Sequence, residues 1–92
     1  MFLEIVSPEA TLFSGTVSSV ILPGTDGEFQ ILENHAAIVS TLTKGRVRIE
    51  GEGIAIDQEH EGKFLKEGSK LVLSINSGTI EMKDNKVIVL AD

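Results

Sequence analysis

The sequence predicts an all-β fold, an antiparallel sandwich or barrel of short strands with no substantial helix. Apolar and polar residues alternate along much of the chain, and turn residues recur at short intervals. Val47 and Ile49, for example, are flanked by Arg46, Arg48 and Glu50, which gives a strand with one buried and one wetted face. Short strands at this spacing are typical of antiparallel sandwiches and barrels.

Further strands follow from the same alternation. Their apolar pairs are Leu3 with Ile5, Ile54 with Ile56, Leu71 with Leu73 and Ile75, and Ile80 with Met82. Residues that preset φ or tolerate a positive φ separate them, at Ser7-Pro8-Glu9, Ser14-Gly15, Pro23-Gly24, Asp26-Gly27, Lys44-Gly45, Gly51 to Gly53, Glu67-Gly68 and Asp84-Asn85. The segment ENHAAIVSTL also favours extended structure, because Ile38 and Val39 are β-branched.

The last residues of the sequence predict the clearest hairpin. Residues 79–83 and 86–90 flank Asp84-Asn85, two residues that can visit the left-handed region of φ. We expect these two strands to pair. From Val87 to Leu90 neither face of the second strand is polar, so this strand is expected to be central in the sheet or covered on both faces.

Length and composition limit the possible functions. A chain of 92 residues is expected to form one domain, residues 1–92, with a modest core of Val, Ile and Leu. The net charge of -6 repels nucleic-acid phosphates and anionic lipid, so nucleic-acid binding is not expected. Without cysteine the chain has no disulfide and no thiolate site. No apolar run is long enough to cross a bilayer, so any membrane association is expected to occur through a partner.

No motif in the sequence predicts catalysis, a metal site or a nucleotide site. His35 and His60 lie far apart, and the acidic neighbours of His60 in QEHEG splay away from it on a strand or in a turn. Asp26 and Glu28 are candidate paired carboxylates, but nothing in their turn is expected to desolvate either one. The segment PGTDGE lacks the Gly-Lys-Ser/Thr ending of a phosphate loop.

His35 has two interpretations. It ends the polar turn LENH and directly precedes the apolar run AAIVSTL. It is either a half-buried histidine bonded to a backbone carbonyl or a residue at an interface, for which an amphipathic ring at a strand edge is well suited. The residues alone leave both interpretations open.

Two blocks of the sequence resemble the amino-terminal β domain of the epsilon subunit of the F-type ATP synthase. The first block, residues 3–49, carries Ser-Pro-Glu, Leu-Phe-Ser-Gly, Pro-Gly-Thr-Asp-Gly-Glu-Phe, His-Ala and Lys-Gly in that order. The second block is SINSGTIEMKDNKVIVLAD, residues 74–92. The resemblance implies a flattened β-sandwich of about ten strands, in agreement with the strands predicted from the alternation.

The resemblance also implies a noncatalytic subunit of the central stalk that has no cofactor. In the family this domain binds the rotating gamma subunit and rests on the ring of c subunits, and so helps to couple proton transport to ATP synthesis. Positions that match the gamma-facing surface are Ser7, His35 and Ser40, and positions that match the ring-facing edge are Glu28, Phe29, Gln30, Ile31 and Leu32. An exposed Phe29 is expected to act as an anchor, and Glu28 is expected to meet basic groups of the ring. The implied location is the cytoplasmic face of the bacterial plasma membrane, as a peripheral subunit.

The sequence departs from the family pattern in three respects. Gln30 stands where the family usually has Gly, Glu33-Asn34 stand where it has Pro-Gly, and Ala37 stands where Pro is common. Asn34 can adopt the left-handed conformation that the glycine serves. Residues 50–70 are longer and more acidic than the usual link and are expected to extend a hairpin. Family members commonly continue beyond the position of Asp92 into a helical hairpin that inhibits ATP hydrolysis and in some members binds ATP; if the chain is complete, both properties are expected to be missing.

Two other classes of function are alternatives. One is a β-sandwich binding module for a glycan or a small ligand, which the absence of Trp and Tyr disfavours because such sites use these residues as stacking platforms. The other is a small hydrolase that uses His35 with Asp26 or Glu28, for which no activated nucleophile is visible.

Overall fold

The computed structural model describes residues 1–92 and consists almost entirely of β-strands. Its ten strands are β1 (Phe2–Val6), β2 (Thr11–Thr16), β3 (Ser19–Gly24), β4 (Gly27–Leu32), β5 (Ile38–Leu42), β6 (Gly45–Glu50), β7 (Phe64–Glu67), β8 (Lys70–Ile75), β9 (Gly78–Lys83) and β10 (Lys86–Ala91). One 3₁₀ helix, Gln58–Lys63, precedes β7. The prediction of an all-β fold without a substantial helix is confirmed.

All ten strands belong to one sheet, which curls into a half-barrel. The strands β2-β1-β10-β9-β5 form what we name the first half-sheet, and β4-β3-β6-β8-β7 form the second half-sheet. Strand β3 joins them, because its residues from Ser19 to Ile21 pair with β6 while Gly24 pairs with Leu42 of β5. Only β1 and β10 run parallel. The two half-sheets are therefore joined by one backbone pairing between β3 and β5 as well as by the core.

The inward-facing side chains of both half-sheets form a single cluster of 20 buried residues. Val47 and Ile49 are fully buried on β6, while Arg46, Arg48 and Glu50 retain exposed surface, as the alternation predicts. Removal of these aliphatic side chains from water is the main favourable term in folding. Because the core fixes the inward face of each strand, it also decides which side chains face outward.

The hairpin of β9 and β10 turns at Asp84 and Asn85, whose φ angles are 51° and 59°. Two positive φ values are the signature of a type I′ hairpin turn, so the predicted hairpin is confirmed. Strand β10 lies between β1 and β9, which confirms its central position. Val87 and Val89 are fully buried, but Leu90 is exposed, so only one face of β10 is covered.

Gly78 allows β9 to approach β10 closely. It begins β9, between Leu42 of β5 and Ala91 of β10. A Cβ atom at this position would collide with the carbonyl oxygen of Leu90. A side chain here must therefore push two paired backbones apart.

Residues 50–70 differ from the sequence-based expectation. The strand predicted at Ile54 and Ile56 is wrong, because residues 51–57 are irregular and Gly53 adopts a φ of 62°, which a regular ladder does not accommodate. Ile54 and Ile56 instead pack as half-buried side chains against the core. Within the same segment β7 forms an antiparallel hairpin with β8 through a turn at Gly68, and β8 itself pairs with β6.

Candidate interaction surfaces

Strand β4 carries the side chains predicted to face the ring, and it exposes only every second one. Glu28, Gln30 and Leu32 point outward, and Leu32 is 54% exposed. Ile31 is 0% exposed and belongs to the core, and Phe29 is half-buried against it. The pleat of a strand forces this division, because successive side chains point to opposite faces. The outward surface of β4 therefore consists of Glu28, Gln30 and Leu32, and the expectation of an exposed Phe29 is wrong.

Gly24 explains the position of the Phe29 ring. A Cβ atom on Gly24 would lie 2.8 Å from Cε1 of Phe29, so the ring lies directly over this glycine. Gly27, with a φ of 123°, makes the turn between β3 and β4. The absence of a side chain at Gly24 thus lets the Phe29 ring pack against the sheet, where it is half-buried.

Glu28 already has a partner within the chain. Nη2 of Arg48 on β6 donates to Oε1 of Glu28 on β4, so the arginine side chain reaches across the intervening strand β3. Nε of Arg48 is buried and has no hydrogen-bond partner. An exposed ion pair of this kind contributes at most about 1 kcal/mol to stability. The main consequence of the ion pair is that it orients the Glu28 carboxylate. A basic group on a partner would compete with Arg48 for this carboxylate.

The turn between β4 and β5 is held by hydrogen bonds that the backbone amides of Asn34 and His35 donate. Asn34 has a φ of 61°, which confirms the predicted left-handed conformation. Its N–H donates to Oδ1 of Asn85 at 2.8 Å, and the N–H of His35 donates to the carbonyl of Leu32 at 3.2 Å. The first of these bonds joins the turn to the β9–β10 hairpin.

Glu33 adds an ion pair to the same turn. The ammonium group of Met1 donates to Oε1 of Glu33 at 2.7 Å. This hydrogen bond and the positive charge of the ammonium lower the pKa of the Glu33 carboxyl. The turn therefore contacts β1 as well as the β9–β10 hairpin.

His35 combines features of both of its interpretations. Its Nδ1 lies 2.7 Å from the carbonyl oxygen of Ala36, a distance at which the Nδ1–H tautomer donates. The ring is nevertheless exposed, not half-buried. The hydrogen bond restrains the ring, while the residue stays exposed and accessible to a partner.

Ser7 and Ser40, the other predicted gamma-facing residues, lie elsewhere on the first half-sheet. Ser7 closes the turn after β1, where its Oγ donates to the carbonyl of Ala10 at 3.2 Å. Ser40 is half-buried on β5, next to Thr41, and Thr41 lines an open groove together with Ser7. The structure thus brings Ser7 near β5, whereas His35 lies at the opposite end of the half-sheet, beside the turn at Asn85.

The outward face of the first half-sheet carries apolar side chains that the sequence analysis missed. Phe2, Val39 and Leu90 are exposed there, and Val39 is 76% exposed. Glu81 is the register partner of Val39, and Nζ of Lys86 lies 5.7 Å from the centre of the Phe2 ring. Exposed apolar surface with a charged surround is typical of interaction sites. Phe2 and Leu90 each lie one position away from a buried residue of their strand, whereas both strand neighbours of Val39 are half-buried.

The groups weighed for catalysis and metal binding lie in separate places. Asp26 lies in the turn between β3 and β4, Glu28 pairs with Arg48, and His60 lies in the 3₁₀ helix. No three His, Asp or Glu side chains converge on a point where they could hold a metal ion. None of the helical structure is long and apolar enough to span a bilayer.

Comparison with known proteins gives matches along the whole chain. Residues 1–92 match the family described as ATP synthase, Delta/Epsilon chain, beta-sandwich domain. An ATP synthase epsilon chain of Campylobacter curvus is 38% identical over 92 residues, which are 100% of this chain and 60% of the relative. One of Leptospira interrogans is 40% identical over 89 residues, 97% of this chain and 58% of the relative. The chain thus spans about three fifths of the length of these curated relatives.

Two solved structures share the fold. A chain of the Euglena gracilis mitochondrial ATP synthase, in a structure of OSCP/F1/c-ring, matches with a TM-score of 0.75 and 21% identity, over 97% of this chain and 48% of that one. A chain of the Tetrahymena thermophila mitochondrial ATP synthase central stalk/c-ring matches with a TM-score of 0.71 and 14% identity, over 99% of this chain and 62% of that one.

Proposed function

The chain belongs to the family of ATP synthase delta and epsilon chains through their β-sandwich domain, and on this basis we propose that it is the β domain of a bacterial epsilon subunit. The proposed role is noncatalytic. The domain binds gamma and the ring of c subunits in the central stalk, couples proton transport to ATP synthesis, and works as a peripheral subunit on the cytoplasmic face of the plasma membrane. The observation that carries the proposal is the family match over all 92 residues.

The first half-sheet offers the surface proposed for gamma. Ser40 lies on its strand β5, where it is half-buried and in register with buried Ile80, so its side chain points to the opposite face from that of Val39. Ser7 and His35 lie at the two ends of the half-sheet. Between them the half-sheet exposes Val39 and Leu90, which supply apolar area that a partner can cover. A broad surface suits a subunit that must stay attached while it transmits torque, because the binding energy is then distributed over many contacts.

Strand β4 offers the surface proposed for the ring. It pairs only with β3, so it is an edge of the second half-sheet, and it presents Glu28, Gln30 and Leu32 outward. Leu32, and not the half-buried Phe29, supplies the apolar contact. The Arg48–Glu28 pair supplies charged groups beside it. Along the strand, Gln30 lies between the charged pair at Glu28 and the apolar side chain of Leu32.

Binding to gamma tests the proposal directly. Purified chain and the gamma subunit of the same organism are expected to form a complex in isothermal titration calorimetry and to co-elute in gel filtration. His35→Ala is expected to weaken binding about fivefold to thirtyfold, the effect of a contact worth about 1–2 kcal/mol. His60→Ala is the control, because His60 lies in the 3₁₀ helix, which is not part of the first half-sheet. Failure of the unmodified chain to bind gamma overturns the proposal.

A second pair of variants tests the ring surface. Leu32 and Leu65 are both exposed, at 54% and 63%, but they lie on β4 and β7, the opposite edges of the second half-sheet. Leu32→Ala is expected to weaken docking of the gamma complex on purified c-ring, whereas Leu65→Ala is not. Equal losses from the two variants show that general surface hydrophobicity, and not β4, determines docking.

A further inference from the structure

We propose that Asn85 is a positioning residue for the gamma-binding surface, because its side chain fixes the turn of residues 33–35 and thereby the place of His35. The inference rests on the proposed function for the identity of the partner. The contact that carries it is the hydrogen bond from Asn34 N–H to Asn85 Oδ1, 2.8 Å long and joining residues 51 positions apart.

Asn85 is a fixed point of the fold. It lies in the type I′ turn of the β9–β10 hairpin with a φ of 59°. Its backbone carbonyl accepts a hydrogen bond from the N–H of Phe2 at 3.1 Å, which ties the turn to β1. The hairpin on one side and β1 on the other therefore hold the backbone from which the Asn85 side chain extends.

The turn of residues 33–35 lacks intrinsic rigidity. It contains neither proline, which would fix φ, nor glycine, which would adopt a positive φ without cost. Asn34 nevertheless holds a φ of 61°. Within the turn the backbone bond is from His35 N–H to the Leu32 carbonyl, at 3.2 Å. A local bond of this kind shapes the turn but does not attach it to the sheet.

The hydrogen bond of the Asn34 amide therefore attaches the turn to the β9–β10 hairpin without involving the amino terminus of the chain. The other contact, from the Met1 ammonium to Glu33, ends on a carboxylate whose side chain is 60% exposed. Because His35 directly follows Asn34, the anchor at Asn34 sets where the exposed imidazole lies relative to β5. Loss of the anchor leaves the turn to be ordered during binding, and that ordering lowers the affinity.

Two substitutions of Asn85 separate the side chain from the backbone. Asn85→Gly keeps the positive φ and removes the acceptor, whereas Asn85→Asp keeps an acceptor oxygen and also tolerates the left-handed conformation. Both variants are expected to retain the hairpin. In NMR hydrogen exchange on the isolated chain, the Asn34 amide is expected to exchange about tenfold faster in Asn85→Gly and at the unmodified rate in Asn85→Asp. Unchanged exchange in Asn85→Gly overturns the anchor.

Titration with gamma then tests the positioning role. Asn85→Gly is expected to weaken binding about threefold to tenfold, and Asn85→Asp is expected to bind as the unmodified chain does. Faster Asn34 exchange combined with undiminished gamma affinity overturns the role of Asn85 in positioning. If the unmodified chain itself does not bind gamma, the proposed function and the partner fail together, while the exchange measurement still decides the anchor.

Discussion

Replacement of Ile31 by alanine tests the orientation of β4, on which the choice of outward-facing residues depends. The Ile31 side chain is fully buried, so the substitution removes all of its carbon atoms beyond Cβ from the core. At about 0.8 kcal/mol for each buried methylene-sized group, the lost transfer energy is roughly 2.4 kcal/mol. A residual cavity adds to this, so the free energy of unfolding is expected to fall by about 3–4 kcal/mol.

Thermal and urea denaturation followed by circular dichroism measure this loss. In a domain of this size each kcal/mol lowers the melting temperature by about 4–8 °C, which gives an expected decrease of roughly 12–30 °C. Leu32→Ala is the matched control, because Leu32 directly follows Ile31 and is 54% exposed. It is expected to change the free energy of unfolding by less than about 0.5 kcal/mol.

The two variants together can refute the assignment. If Ile31→Ala costs less than about 1 kcal/mol while Leu32→Ala costs more, the strand presents the opposite face to the core. Phe29, Ile31 and Gly27 would then form the outward side, and the surface proposed for the ring would have to be rebuilt from them. Equal small losses would show instead that β4 detaches easily from β3.

Three further predictions concern other parts of the chain. Gly78→Ala is expected to lower the free energy of unfolding in urea denaturation by about 2 kcal/mol or more. Gly62→Ala is the control and is expected to have little effect, because a Cβ atom at Gly62 has no neighbour within 4 Å. Equal effects of the two variants contradict the close approach of β9 and β10. Ile54→Ala is expected to lower the free energy of unfolding by about 1–2 kcal/mol, because the side chain packs on the core. Ala55→Ser is the control at an exposed neighbour. If Ile54→Ala destabilises the fold no more than Ala55→Ser does, the packing of Ile54 is contradicted. The lowered pKa of Glu33 predicts a carboxyl titration midpoint below its ordinary value of 4.5 in carbon-detected NMR. Its ion pair therefore stabilises the fold above that value and is lost as the pH falls through the lowered pKa, so a midpoint at or above 4.5 contradicts the pair.

Local chemistry explains which parts of the fold could be predicted. The hairpin at Asp84-Asn85 depends on two adjacent residues that accept positive φ, and such a signal lies within a few positions of sequence. The alternation around Val47 extends over a whole strand and was equally informative. Ile54 and Ile56 show where the alternation misleads. Two apolar residues separated by one position fit a strand, but they also fit an irregular segment that packs on the core.

Contacts between distant residues explain most of what could not be predicted at the candidate surfaces. The partial burial of Phe29 depends on its ring lying over Gly24, which belongs to a different strand. Arg48 and Glu28 are 20 positions apart, and their pairing follows only from the order of β4, β3 and β6. The roles of Ser7, His35 and Ser40 remain predictions, although the structure does leave the His35 ring exposed.

The edge strand β7 affects how readily the sheet can pair with a further strand. It ends the second half-sheet with backbone N–H and C=O groups that no other strand pairs, the kind of edge at which β proteins associate with one another. The strand is only 4 residues long, and Lys66 and Glu67 make up half of it. Glu67 also pairs with Arg46 of β6, which keeps charge at this edge. Short and charged strands are poor templates for further pairing, so the length and charge of β7 disfavour pairing at this end of the sheet.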